Sequence, residues 1–383
     1  MTDWKELKLG DIITFQRGHD LPKTEMVEGE FPVAGSNGII GFHNKSTTTG
    51  PGVTIGRSGN IGTPIFYPTD YWAHNTVLYI KDFKNSFPKF IYYFLRTFDF
   101  SQFNAGSAVP TLNRNHIHEL IVKIPGCTEQ IQIASILSCL DDKIDLLHRQ
   151  NKTLEQLAET LFKRMLNVNC EKWEMKHFGE YIENTFGGEW GKEKPEDDYA
   201  MRVCCIRGTD IADLQTGLAN RTPVRFIKVK KFENIQPNDG DLILEISGGT
   251  DDQSTGRTIY INELNRTLFP YPLIFSNFCR LIRPKKKEFS YFMYLYIQYL
   301  YKQDEFFNLE NGSSGIKNLD YKYLLFDLNF LLPNNEKEIF DFNKKVEVYF
   351  EKINKNKHQI RTLTQLRDTL LPKLMSGEVT VIK

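Results

Sequence analysis

From Leu137 to Met165 the apolar positions advance in alternating steps of three and four: Leu137, Leu140, Ile144, Leu147, Asn151, Leu154, Ala158, Leu161 and Met165. This is a heptad seam with one polar member, Asn151. The spacing returns at Val346, Tyr349, Ile353, Asn356, Ile360, Leu363, Arg367, Leu370 and Leu374. Each stretch predicts a helix of about 40 residues, on the order of 60 Å long. A helix with one apolar stripe has to bury it. The two seams are natural partners, as an antiparallel coiled coil if the halves are related by a pseudo-twofold. Asn151 and Asn356 would then fix the register at some cost in stability. In the alternative, each stripe packs on its own globular neighbour. Pro372 cannot continue the hydrogen-bond ladder, so the second helix is expected to kink or end there.

The two helices are spelled alike. LEQLAETLFKRM from Leu154 and LTQLRDTLLPKLM from Leu363 share Leu, Gln, Leu, Thr and Leu in order, 209 residues apart. The match extends along the chain. Trp4 and Gly10 in WKELKLGDI correspond to Trp173 and Gly179 in WEMKHFGEY, and Asn75 in HNTVLYI to Asn277 in SNFCRLI. KFIYYFLRT and YFMYLYIQY predict two short aromatic helices, and FNAGSAVPTLN and FNLENGSSGIKNL follow them. An apolar run then closes on Pro125 in one half and on Pro333 in the other. The chain therefore divides into a globular part (1–127), a central long helix (128–168), a second globular part (169–334), a C-terminal long helix (335–376) and a tail (377–383). Val53 to Ile55 and Leu242 to Ile246 read as strands with Gly-rich loops leaving them. The expected class is α+β: two pseudo-symmetric globular domains separated by two long helices forming an antiparallel coiled coil.

Composition changes this picture little. The 383 residues are 40% hydrophobic, 25% charged and 13% aromatic, with a formal net charge of zero. Neutrality does not announce a nucleic-acid or membrane partner. No run approaches a membrane span, and MTDWKELKLG lacks an apolar signal core. Cys127, Cys139, Cys170, Cys204, Cys205 and Cys279 form no CxxC pair, which suits reduced thiols in a cytoplasm. Basic stretches begin at Lys228 (KVKKF), Arg283 (RPKKK) and Lys352 (KINKNKHQIR). Each is read equally well as a solvated face.

Signals for catalysis are poor. GGEWGKE, from Gly187 to Glu193, is too short for a phosphate loop and has Glu193 where Ser or Thr is needed. GRSGNIG is not the dinucleotide fingerprint. In DLILEIS, Asp241 and Glu245 have the acidic spacing of a nuclease strand, but Ser247 stands where a lysine is expected. No Asn-Pro-Pro or Asp-Pro-Pro run is present to hold an amino group for methyl transfer. His116 and His118 lack metal-ligand spacing and read as structural. The Gly-, Ser- and Asn-rich loops could meet phosphates, with Arg57, Asn60, Arg207 and Arg257 reaching base edges. The same loop chemistry also serves plain turns.

WKELKLGDI opening the first half, CIRGTDI, GDLILEISGG, GRT and SNF in the second, and LRDTLLPKLMSGEV closing the chain carry a resemblance. The sequence resembles the specificity subunit of a type I restriction–modification system over essentially its whole length. The resemblance implies a non-catalytic reader of double-stranded DNA with two target-recognition domains, 1–127 and 169–334. Each would read one half of a bipartite asymmetric target. The helices would set the spacing and dock two methyltransferase (modification) subunits, with restriction/translocase subunits joining them. No cofactor or metal is then expected in this chain; S-adenosylmethionine, ATP and Mg would belong to partner subunits, and the location would be cytoplasmic. Donors on Gly-flanked loops are the candidates for DNA contact. In the first half these are Asn37, Lys45, Arg57, Ser58, Asn60 and the Gly106–Ser107 turn. In the second they are Arg207, Thr209, Gly249, Thr250, Arg257, Ser313 and Lys317. Asn75 and Asn277 read rather as turn caps. The competing readings are a protein-interaction scaffold or a stand-alone DNA-binding regulator on the same plan, with a nuclease using Asp241 and Glu245 behind them.

Overall fold

Two stripes uninterrupted by Pro or Gly before Pro372 become two continuous helices, Cys127–Asn169 of 43 residues and Glu336–Ser376 of 41. The structure is a computed structural model that describes residues 4–103, 111–169, 172–217, 221–312 and 316–381. The second helix starts on Asn335, whose side-chain oxygen accepts from the Lys337 N–H at 2.9 Å. Glu336 and Glu338 occupy its first turn, where the helix dipole favours anions. It ends before Gly377, which takes the left-handed conformation at φ +75°. The helix does not end at Pro372 but runs through it. Asp368, whose carbonyl loses its usual donor there, is exposed, so water can take the vacated bond.

By packing, the chain forms two compact units: Met1–Lys143 with Leu363–Lys383, and Ile144–Thr362. Each contains a stretch of both long helices. In the first unit, Ile133, Ala134 and Leu137 share a core with Leu371, Leu374 and Met375, and Arg367 donates to Asp141 at 2.8 Å. In the second, the Asn356 amide donates to the Asn151 oxygen at 2.8 Å, and the rings of Phe162 and Phe342 lie 6.1 Å apart. As residue numbers rise along one helix they fall along its partner, so the pairing within each unit is antiparallel. Leu137, Leu147, Asn151, Val346, Ile353, Asn356 and Ile360 are buried, and Leu140, Ile144, Leu154, Leu161, Leu363 and Leu370 are partly buried. The stripes also pack on their globular neighbours: Phe162, Val346, Phe350 and Ile353 share one core with Phe292 and Tyr296 of the aromatic helix Ser290–Lys302. Helix pairing and domain packing are therefore one hydrophobic event.

The globular parts repeat each other strand for strand. In the first unit β1 (Lys5–Lys8) pairs with β9 (Ile121–Ile124). A four-stranded sheet follows the order β2 (Thr14–Arg17), β8 (Val77–Asp82), β5 (Gly52–Gly56), β6 (Pro64–Tyr67). A three-stranded sheet follows β4 (Gly38–His43), β3 (Phe31–Gly35), β7 (Trp72–Ala73), with β3 and β7 parallel. In the second unit β10 (Glu174–Lys176) pairs with β21 (Phe330–Leu332). Its four-stranded sheet is β11 (Ile182–Gly187), β18 (Cys279–Pro284), β14 (Leu242–Glu245), β16 (Thr258–Tyr260). Its three-stranded sheet is β13 (Val224–Ile227), β12 (Met201–Ile206), β17 (Leu273–Phe275), with β12 and β17 parallel.

The expected strands at Val53 and Leu242 are the centres of these four-stranded sheets. Their apolar runs do not alternate because both faces are covered. Leu242 and Leu244 pack into the core shared with the helices, while Ile243 between them packs into the core under the three-stranded sheet. The second unit adds a small sheet of β15 (Ser247–Gly249), β20 (Lys317–Leu319) and β19 (Glu310–Asn311). Among the described residues the first unit has at this place the bridge between Ser58 and Thr111.

Asn356 Oδ1 is buried with no partner among the described residues, so the amide pair is only half satisfied. Asn151→Leu should remove the remaining partner and cost about 1–3 kcal/mol. The double change Asn151→Leu/Asn356→Leu should recover most of that loss in denaturant unfolding. A double variant less stable than either single one would contradict the pairing.

Candidate nucleic-acid interface

In each unit three strand ends and one returning segment meet at the same address. In the first, β3 runs into Ser36–Asn37, β5 into Arg57–Asn60 and β7 into the turn at Asn75–Thr76. The His74 N–H donates to the Ala34 carbonyl at 3.1 Å, Arg57 N–H to Thr76 at 2.8 Å, and Leu112 N–H to Arg57 at 2.9 Å. In the second unit the Ser276 N–H donates to Ile206 at 2.8 Å, Ile246 N–H to Phe278 at 2.9 Å, and Leu319 N–H to Ile246 at 3.0 Å. These bonds make Arg57 the counterpart of Ile246, Thr76 of Phe278 and Asn75 of Asn277. The backbone plan is shared and the side chains differ.

Close approach requires glycine beside both loops. A Cβ on Gly56 would lie 1.8 Å from the Asn60 carbonyl oxygen and 3.4 Å from Ser36. One on Gly208 would lie 2.2 Å from a Glu245 carboxylate oxygen. These contacts draw the loop after β3 (or β12) against the loop after β5 (or β14).

In the first unit Asn37 and Asn60 are exposed at neighbouring loops, and Arg57 and Ser58 are partly exposed. Among the described residues the Arg57 side chain makes only a long 3.5 Å contact, to the Asn75 carbonyl. Lys45 stands exposed beyond β4. Asn75 sits in its turn and donates to Asp20. Gly106 and Ser107 lie outside the described residues, as does Ser313 in the second half.

The second unit gathers its candidates around a cavity of about 610 Å³ lined by Trp190, Arg207, Thr209, Asn277, Phe278 and Ile316, among others. Arg207 is pre-positioned: its Nε and Nη2 donate to Asp210 at 3.0 and 2.7 Å. Asp210 is buried while Arg207 keeps 38% of its side chain exposed, and Nη1 has no protein partner among the described residues. Asp210 raises the Arg207 pKa through this hydrogen bond, against the effect of burial. Thr209 is exposed beside it. Gly249 donates to Thr255 Oγ1 at 3.0 Å, and the Thr250 N–H to the Gln253 carbonyl at 2.8 Å, so both shape the loop. Lys317 lies 3.4 Å from Asp251 and 3.6 Å from Glu310.

Arg257 corrects the expectation of a free donor. Its Nε donates to Glu245 at 2.8 Å, with Glu245 buried and Arg257 partly buried, 1% and 15% of the two side chains being exposed. Glu245 also accepts from the Gly256 and Arg257 N–H groups at 3.4 Å, so this ion pair closes the loop that begins at Ile246. The nuclease reading fails on the same ground: Glu245 is occupied by Arg257, and Asp241 by Arg283 at 2.7 Å. Burial pushes the Cys205 and Cys279 thiols up to about 12, which keeps them protonated. His118 accepts from the Phe15 N–H at 2.9 Å, a structural role.

Each basic stretch is engaged in part within the fold. Lys228 pairs with Asp198 at 3.2 Å and Lys286 with Glu336 at 2.6 Å, while Arg361 donates to the Leu268 carbonyl. Phe278 and Ile316 are apolar, exposed and in the cavity, and neither stood out in sequence. Phe278 directly follows the repeated Asn277, which was the available signal.

The address, the duplicated sheets and the paired helices define a two-domain recognition protein. The family model for the type I restriction modification DNA specificity domain matches residues 1–156 and 171–362. The chain belongs to that family and carries its domain twice. It is 25% identical over 344 residues to the type I restriction enzyme MjaIX specificity subunit of Methanocaldococcus jannaschii, covering 81% of this chain and 74% of the relative. It is 22% identical over 464 residues to the HindI specificity subunit of Haemophilus influenzae, covering 99% and 100%. Among solved structures it shares its fold with the type I restriction–modification S subunit from M. genitalium, at a TM-score of 0.63 and 16% identity, with 97% and 96% covered. The chain is thus a specificity subunit, the non-catalytic member of such a system, and proteins of this kind function in complexes with DNA and other subunits. Among the described residues no helix is long and apolar enough to cross a membrane.

Arg257→Met should strand the buried Glu245 carboxylate and cost about 3–5 kcal/mol. Arg57→Ala should stay within about 0.5 kcal/mol of the parent. Thermal unfolding of the two variants side by side checks this, and equal melting temperatures would contradict the division between framework and reading residues.

Proposed function

We propose that residues 1–127 and 169–334 are two target-recognition domains, each reading one half of a bipartite asymmetric site in double-stranded DNA. The observation that carries this is the shared backbone address with unshared side chains: Arg57 against Ile246, Thr76 against Phe278. A protein that reads two different sequences with one device needs that combination. Arg57, Ser58, Asn60 and Asn37 form the reading set of the first domain, with Lys45 placed for phosphate. Arg207 and Thr209 lead that of the second, with Lys317 and the loop of Gly249 and Thr250 beside them. Arg257 acts by holding the loop.

The long helices, 128–168 and 335–376, set the spacing and dock two methyltransferase subunits. Their repeated letters support this. Gln156, Leu157 and Thr160 are exposed, and so are their identical counterparts Gln365, Leu366 and Thr369. The buried positions between them diverge, Ala158 against Arg367 and Phe162 against Leu371. The seam leucines Leu154 and Leu161 also recur, as Leu363 and Leu370, because both helices bury a stripe, but packing does not account for the repeated exposed Gln, Leu and Thr, which point to one partner bound twice. The neutral chain fits a grip on DNA shared with partners, since a lone reader draws much of its affinity from phosphate neutralisation. Restriction/translocase subunits complete the complex in the cytoplasm, and S-adenosylmethionine, ATP and Mg are held by the partners.

Co-expression with the partner methyltransferase in an unmethylated host, followed by long-read mapping of modified adenines, should give one asymmetric bipartite motif with a fixed gap. Leu157→Asp or Leu366→Asp should each lower the bound methyltransferase from two copies to one, read by native mass spectrometry. Co-purification without any motif would favour a scaffold, and two copies retained by both variants would remove the docking face.

A further inference from the structure

Beyond the loops that the duplicated plan supplies to both domains, the second carries an exposed aromatic side chain, Phe278, where the first carries Thr76. Phe278 is 51% exposed and Ile316 59% exposed, and both line the cavity that holds Arg207, Thr209 and Asn277. An exposed aromatic side chain on a turn loses free energy to water without contributing to the core. The Phe278 backbone already serves the fold, because its carbonyl accepts from Ile246 as that of Thr76 accepts from Arg57. The side chain is therefore free to differ between domains, and it does. Its surroundings name the kind of ligand: the cavity lining combines a guanidinium held rigid by Asp210, the Thr209 hydroxyl and the Asn277 amide with the apolar side chains of Phe278, Ile316 and Trp190.

In the major groove, base edges present hydrogen-bonding atoms and one apolar group, the 5-methyl of thymine. We infer that Phe278 and Ile316 form the receptor for a thymine 5-methyl group in the half-site read by the second domain, beside a base whose acceptors face Arg207. The inference rests on the DNA-reading role proposed above and adds a base identity to it. At the place of Phe278 the first domain carries Thr76.

The test uses the complex of this chain with its methyltransferase and duplexes carrying the mapped motif. Each thymine of the second half-site is replaced in turn by uracil, which removes only the methyl group. At one position the parent complex should bind about fourfold more weakly, the effect of one buried methyl. Phe278→Thr, which installs the first domain's residue at an exposed site, should bind the thymine and uracil duplexes alike, and Ile316→Ser should reduce the discrimination. Uracil in the first half-site should have the same effect on the parent and Phe278→Thr complexes. A second half-site without thymine, a parent complex indifferent to every methyl, or full discrimination retained by Phe278→Thr would each overturn the inference and leave the two-domain reading intact. A map with no bipartite motif would overturn both, and is distinguished by the loss of the first half-site as well.

Discussion

Neither long helix can bury its stripe alone, and this requirement organises the chain. The partner of each seam lies some two hundred residues away in sequence, so pairing must wait until the intervening segment has folded back. Within the second unit the pairing passes through Asn151 and Asn356, whose 2.8 Å bond is buried. A buried amide pair contributes little net stability but penalises any slip that would leave it unpaired. Within the first unit the same work falls to Arg367 and Asp141, where Tyr93 of a neighbouring helix also donates to Asp141 at 2.6 Å. The register of the helices is thereby tied to the globular parts they carry.

Much of this was legible in the residues. Three-four spacing located both helices, and the polar members Asn151 and Asn356 could be matched because a polar residue in an apolar seam seeks its like. The paired signatures around Trp4 and Trp173 and around Asn75 and Asn277 gave the duplication, which the strand orders repeat. At Pro372 the helix does not end: Asp368, four residues earlier, is exposed, so water can take the bond that the proline cannot make. Arginine was over-read. Arg257 sits in a Gly-rich loop and looks available, but its carboxylate partner lies on a strand twelve residues earlier. Only the pairing of β14 with β16, facing Glu245 back at the loop, reveals the commitment. Phe278 was missed for the opposite reason, since an aromatic residue beside a strand reads as core until its exposure is known.

The division of labour follows from where variation is tolerated. Backbone hydrogen bonds at the strand ends are common to both units, so the loops keep their address whatever side chains they carry. In the second unit the buried Asp210, and the buried Glu245 with its partner Arg257, hold those loops in place. Arg57, Asn60 and Phe278 are exposed or partly exposed, and changes there cost the fold little, whereas Arg207 lines the cavity and also pairs with the buried Asp210, so it serves site and fold together. Specificity can then change without refolding.

That separation is tested most directly by exchanging residues 173–334 for the second domain of another family member and mapping the modified bases of the hybrid complex. The account predicts that one half of the motif changes while the other half is retained. A hybrid that is folded and bound to its methyltransferase, yet altered in both halves or in neither, would contradict it.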